Sequence, residues 1–357
     1  MNTQKLSSEL KHFLNQGTVI PAHPLALNAN REFDEAKQRR LTRYYIQSGA
    51  GGIAVGVHST QFEIRDPEVN LYETVIKVAA EEIDKANLSR PFLRVAGICG
   101  PTEQAEKEAR LAVKYKYDMG LLSMGGLEAW TEDQILERVK AIASIIPVFG
   151  FYLQPSVGGR IFSYDFWLKF AEIENVEAIK AAPFNRYQTL DVMRAVCNSS
   201  RRDKIAMYTG NDDNIVADLL AEYRFQVNGE TVDKGFVGGM LGHWAIWTHK
   251  VMELMAEIKD YRKNKTVEKY EDLQRKGIEI TDVNAAIFDP ANKFHGCIPG
   301  IHEILRRQGL LEGRWCLNPK EELSPGQMEE IDRVYSAYPE LNDDVFVKTF
   351  LEKEKSF

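Results

Sequence analysis

Two side chains in this sequence have the chemistry and the setting for covalent work on a carbonyl. Tyr152 and Lys180 each close an apolar stretch, Pro147-Val-Phe-Gly-Phe-Tyr152 and Val176-Glu-Ala-Ile-Lys180, and stand 28 positions apart. A lysine at the inner end of a buried strand is poorly hydrated, so its ammonium form is disfavoured, its pKa falls, and the free amine can attack a carbonyl carbon. A phenol beside that carbon would give and take the protons, provided its strand neighbours the lysine's strand in a parallel sheet. The plainer reading is a lysine that caps a strand at the surface.

Holding such a pair requires parallel strands, and the chain is patterned for them. Apolar runs of strand length alternate with longer amphipathic stretches from residue 17 onward. The strand candidates are Thr18 to Pro21, Gly52 to Val57, Phe92 to Ala96, Met119 to Ser123, Val148 to Tyr152, Ala178 to Ala181, Ile205 to Tyr208 and Gly235 to Gly238. Helices are expected from near Glu32, Leu71, Thr102, Thr131, Tyr164, Arg186, Ile215 and His243, with Thr131-Glu-Asp-Gln134 forming a capping box. Eight such repeats predict an α/β fold, a (β/α)8 TIM barrel over residues 1–262 with a short N-terminal helix, because closure removes exposed sheet edges. A doubly wound open sheet is the alternative. Past the polar break Tyr261-Arg-Lys-Asn-Lys265, residues 263–357 read as a helical region packed on the barrel, with helices over 268–275, 302–308, 327–338 and 345–353. Asn228-Gly229, between the alternating residues of 223–232, predicts a hairpin with a primed turn at the barrel's N-terminal rim.

Composition narrows the function. A formal charge of −7 with no basic stripe argues against nucleic acid, and no 18-residue apolar run exists to span a membrane. Cys99, Cys197, Cys297 and Cys316 are widely spaced, with no Cys-x-x-Cys pair and no histidine cluster of metal-ligand spacing. The expectation is a cytoplasmic protein with reduced thiols, no metal, no cofactor and no signal peptide, whose partner is a small molecule.

In a barrel of this kind the active site lies at the C-terminal ends of the strands. The residues closing the apolar runs are His23, His58 and Ser59, Gly97, Gly125, Tyr152, Lys180, Gly210, and Val237 to Gly239. Chemistry through an imine needs an amine, an acid–base group and donors for a substrate carboxylate. Lys180 and Tyr152 supply the first two, and His23, Gly210, Val237 and Gly238 are expected to line the substrate.

The segment Phe151 to Lys180, FYLQPSVGGRIFSYDFWLKFAEIENVEAIK, resembles the Tyr-x-x-Pro to Ile-Lys block of the dihydrodipicolinate synthase and N-acetylneuraminate lyase family, laid down without a gap. Gly51 to Gly56, Arg94 to Gly97, Tyr208 to Asp213 and the tail from Gly300 through Ser324 also resemble that family. The resemblance implies a lyase or aldolase that forms an imine between Lys180 and a pyruvate-type 2-oxo acid, with Tyr152 as proton shuttle and a homo-oligomer, dimer or tetramer. It also implies that the loop after the second strand holds the carboxylate. That loop reads Val57-His58-Ser59-Thr60-Gln61 here, which assigns Ser59 and Thr60 to the carboxylate. His58 is either a packed loop histidine or a replacement proton carrier beside Tyr152.

Departures from the family set the substrate apart. Met124-Gly125-Gly126 follows the fourth strand where the synthases carry a relay tyrosine, and Val157 falls where they carry an arginine, with Arg160 three residues on. A different second substrate is expected. Two alternatives stay open: a sugar-acid dehydratase using the same imine, and a barrel that binds a 2-oxo acid without turning it over. Asp212 and Asp213 read as helix caps in preference to metal ligands, and His243, Trp244 and Trp247 as packing.

Overall fold

The computed structural model describes residues 3–354. Ten strands form: β1 (Val19–Pro21), β2 (Gly52–Val55), β3 (Leu93–Ile98), β4 (Met119–Leu122), β5 (Val148–Leu153), β6 (Val176–Ala182), β7 (Ala206–Thr209), β8 (Tyr223–Val227), β9 (Glu230–Lys234) and β10 (Gly238–Leu241). All but β8 and β9 belong to one eight-stranded sheet, that of a (β/α)8 barrel. The chain divides into two compact units, Met1–Thr18 with Pro91–Met240, and Val19–Arg90 with Leu241–Phe357.

In the first unit, strands run in the order β10-β7-β6-β5-β4-β3, each pair parallel. Their apolar residues are buried on both faces, as a helix-covered parallel sheet requires. The capping box forms as expected: Thr131 Oγ1 accepts from Gln134 N at 3.2 Å and Gln134 Oε1 from Thr131 N at 2.8 Å. The hairpin also forms, β8 against β9, with Asn228 at φ 51° and Gly229 at φ 85° in the turn. Lys234 Nζ donates to Arg202 O at 2.6 Å, so the hairpin sits where the chain enters β7.

One strand pair is irregular. Val148 pairs with Val176, but Phe149 pairs with Ala178, leaving Glu177 as an extra residue in β6. This is a β-bulge, and it shifts every later pairing by one. The Glu177 carboxylate is buried against Lys11 Nζ at 2.8 Å.

In the second unit, β1 continues beside β2 through an Ala22 to Ala54 bridge. The helices Val267–Phe288, Cys297–Arg307, Gln327–Ala337 and Asp344–Glu354 follow. The first is much longer than the stretch from 268 to 275 expected of it. Asp343 ties this region to the helix Glu35–Gln47: it accepts from Tyr44 Oη at 2.6 Å and from Gln308 Nε2 at 2.8 Å.

Candidate active site

Lys180 lies near the end of β6, 8% exposed. Its side chain crosses Gly210, where an added Cβ would stand 2.4 Å from Lys180 Cε, so only glycine leaves it room. Its Nζ sits 4.3 Å from the centre of the Phe151 ring. Burial pulls the ammonium pKa down and the charge of Asp212 pulls it back up, leaving it at about 8. About a tenth of the amine is therefore neutral at pH 7, far more than for a lysine in water, and that is the state needed to attack a carbonyl.

The bulge decides what accompanies it. Register partners in a parallel pair share a face, and successive residues alternate. Without the bulge Tyr152 would pair with Lys180; with it, Phe151 pairs with Lys180 and Tyr152 with Ala181. Tyr152 thus faces the helix Tyr164–Glu172. Its ring centroid is 4.9 Å from Trp167 and 6.2 Å from Phe162, and Gly150, two residues earlier, abuts Phe170 of the same helix. The Tyr152 hydroxyl is buried and makes no well-formed hydrogen bond, the Phe162 backbone being its one weak polar contact. Burial pushes its pKa up to about 12, against a smaller opposing pull from the Phe162 backbone. The expected juxtaposition of Tyr152 and Lys180 is corrected accordingly: the two share a strand pair and point to opposite faces.

The loop after β7 is held by a buried carboxylate. Asp218, 1% exposed, accepts from Thr209 Oγ1 at 2.7 Å, Asn211 Nδ2 at 2.8 Å and Asn214 Nδ2 at 3.1 Å, and pairs with Arg186. Asn211 Oδ1 accepts from Phe184 N at 3.0 Å, and Gly210 N donates to Ala181 O at 2.7 Å. These bonds join the ends of β6 and β7 and so fix Gly210 and Asp212 with respect to Lys180. Asp212 does not cap the next helix, whose N-cap is Asn214, and no metal-binding cluster exists among the described residues. Arg160 is also engaged, donating to the carbonyls of Trp130 at 2.8 Å and Leu127 at 3.2 Å.

Val237 and Gly238 stand at the opposite end of their strand from the position expected. The eighth barrel strand is Gly238–Leu241, three residues later than its apolar run suggested, so these residues open it instead of closing it. Val237 O would lie 1.8 Å from a Cβ on Gly17, and Gly238 packs on the Thr18 backbone. In the ladder Gly238 pairs with Tyr208, which pairs in turn with Lys180.

In the second unit, His23 is wholly buried, with Nδ1 2.8 Å from Pro24 O and Nε2 2.9 Å from Thr42 Oγ1. Burial drives its pKa down to about 4, so it is neutral near pH 7, and with no exposed surface and both ring nitrogens engaged it serves as packing. Thr60 Oγ1 accepts from Gly56 N at 2.9 Å and Val57 N at 3.1 Å and donates to His23 O at 2.7 Å. A hydroxyl so used is fully committed to shaping its loop. Ser59 differs: its hydroxyl is buried with no partner. His58, in the same turn, stands edge-on to Phe62 at 6.0 Å between ring centroids.

Sequence reasoning missed Phe151 as the neighbour of Lys180 and undervalued Asp212. The available signal for Asp212 was a carboxylate two residues past a strand-closing glycine.

Comparison with known proteins follows the same lines. No family model matches the chain. A 4-hydroxy-tetrahydrodipicolinate synthase of Clostridium novyi is 30% identical over 189 residues, 50% of this chain and 57% of that protein, so the match spans little more than half the relative's length. Among solved structures, dihydrodipicolinate synthase from Oceanobacillus iheyensis superposes with a TM-score of 0.71 at 17% identity, covering 92% of this chain and 99% of the other. N-acetylneuraminate lyase from Mycoplasma synoviae superposes with a TM-score of 0.68 at 16% identity, covering 90% of this chain and 98% of the other. The chain thus shares the barrel fold of these solved structures, and over about half of its length its sequence is similar to that of a 4-hydroxy-tetrahydrodipicolinate synthase.

Proposed function

We propose that the protein is a lyase or aldolase in which Lys180 forms an imine with a 2-oxo acid of the pyruvate type. The observation that carries this reading is a lysine buried on a barrel strand with its pKa held at about 8. Its amine attacks the keto carbon, water leaves, and the imine then accepts the electron pair released when a bond to the adjacent carbon breaks. With Tyr152 on the other face of the sheet, the proton transfers fall to Asp212, the carboxylate whose charge acts on Lys180. Ser59 carries a separate proposal as a carboxylate donor, motivated by its buried, unpartnered hydroxyl.

The test is borohydride reduction in the presence of a panel of oxo acids and sugar-acids, read by mass. A reduced adduct on Lys180 is expected, and inactivation that leaves Lys180 unmodified would refute the assignment. Displacement of the phenol favours one second reading, a barrel that binds its oxo acid without turnover. Binding without hydrogen–deuterium exchange at the acid's C3 would select it.

A further inference from the structure

We propose that Cys99 is a site of covalent modification by small oxidants of the peroxide class, served by a buried guanidinium with two empty arms. Arg138, in the helix Glu132–Ala143, is 1% exposed. Its Nε donates to Gly100 O at 2.7 Å, which places the guanidinium beside the turn carrying Cys99. Its Nη1 and Nη2 are buried and have no hydrogen-bond partner. Burying a cation with donors unspent is costly, and an anion at that position would recover much of the loss.

Cys99 is placed to become that anion. It is partly exposed and outside any disulfide, so a reagent can reach it. Arg138 is coupled electrostatically to Cys99 and to Glu108. Glu108 is committed elsewhere, its Oε2 accepting from Cys99 N and its Oε1 from Gln104 Nε2, each at 2.9 Å. Its negative charge opposes a thiolate, and Arg138 offsets it. Two other thiols contrast with this one: Cys197 and Cys316 are buried, and burial drives both thiol pKa values up, Cys197 to about 11.

In the reaction the thiolate sulfur attacks one oxygen of hydrogen peroxide, the O–O bond breaks and hydroxide leaves. Sulfur is oxidised to the sulfenic acid and peroxide is reduced, with the Arg138 arms donating to the oxygen newly bound to sulfur.

The experiment treats the intact protein with hydrogen peroxide, traps sulfenic acid with dimedone and maps the labelled peptides. Cys99 should label at least tenfold faster than Cys197, Cys297 and Cys316, and Arg138→Met should slow it about tenfold, with Arg138→Lys between. Labelling of Cys297, the other partly exposed thiol, at a rate equal to that of Cys99 would overturn the proposal, as would an unchanged rate in folded Arg138→Met. Should that variant fail to fold, the wild-type ranking of Cys99 against Cys297 still decides.

Discussion

Lys180 and Tyr152 sit on one strand pair, yet their surroundings differ in kind. Lys180 has a glycine beneath it, an aromatic face at 4.3 Å and a carboxylate acting on its charge. Tyr152 has Trp167 and Phe162 and no well-formed hydrogen bond for its hydroxyl. The first setting lowers the pKa of an amine; the second stores an aromatic ring between sheet and helix. One extra residue, Glu177, separates them. A bulge is a small change in backbone that reverses which side chains meet, because the side-chain period along a strand is two.

The comparison breaks most visibly at Lys180. Lys180→Ala should abolish borohydride trapping altogether, while Tyr152→Phe should leave it within about threefold of wild type; loss of trapping in both would mean that the phenol reaches the amine after all. A pH series is the next largest effect. The neutral amine is the reactive form and its pKa is about 8, so the trapping rate should climb roughly tenfold per pH unit below that value and level off above it. Asp212 raises the lysine's pKa, so Asp212→Asn should move the midpoint downward, and an upward shift would contradict the assigned interaction. In the second unit, Thr60→Val strands two backbone N–H groups and should cost about 1–3 kcal/mol in denaturant unfolding. Ser59→Ala should cost almost nothing there, its hydroxyl having no partner to lose. Stability at Tyr152 should move little as well: removing a hydroxyl that makes no well-formed hydrogen bond should change it by no more than about 1 kcal/mol in the same unfolding titration.

The expectations that failed share a cause. The eighth strand was placed at Gly235 to Gly238 because the apolar run around Phe236 and Val237 looks like a strand, whereas the ladder to β7 begins at Gly238. His23 closes an apolar run and so looked like a site residue, until burial against Pro24 and Thr42 showed it neutral and occupied. Thr60 has the right chemistry for a carboxylate, and its three hydrogen bonds commit it to its own loop.

Local chemistry was written plainly in the chain. The alternation of apolar runs and amphipathic stretches gave the strands and helices, Asn228-Gly229 gave the hairpin turn, Thr131 to Gln134 gave the cap, and the burial of Lys180 was marked by the apolar residues before it. Such signals depend on neighbours a few residues away, and propensity, capping and periodicity report on those directly. Register does not. Whether Phe151 or Tyr152 stands beside Lys180 depends on an extra residue in the partner strand and on Lys11, far off in sequence, that pairs with the buried carboxylate there. No local pattern in β5 encodes that choice, and only the assembled sheet makes it.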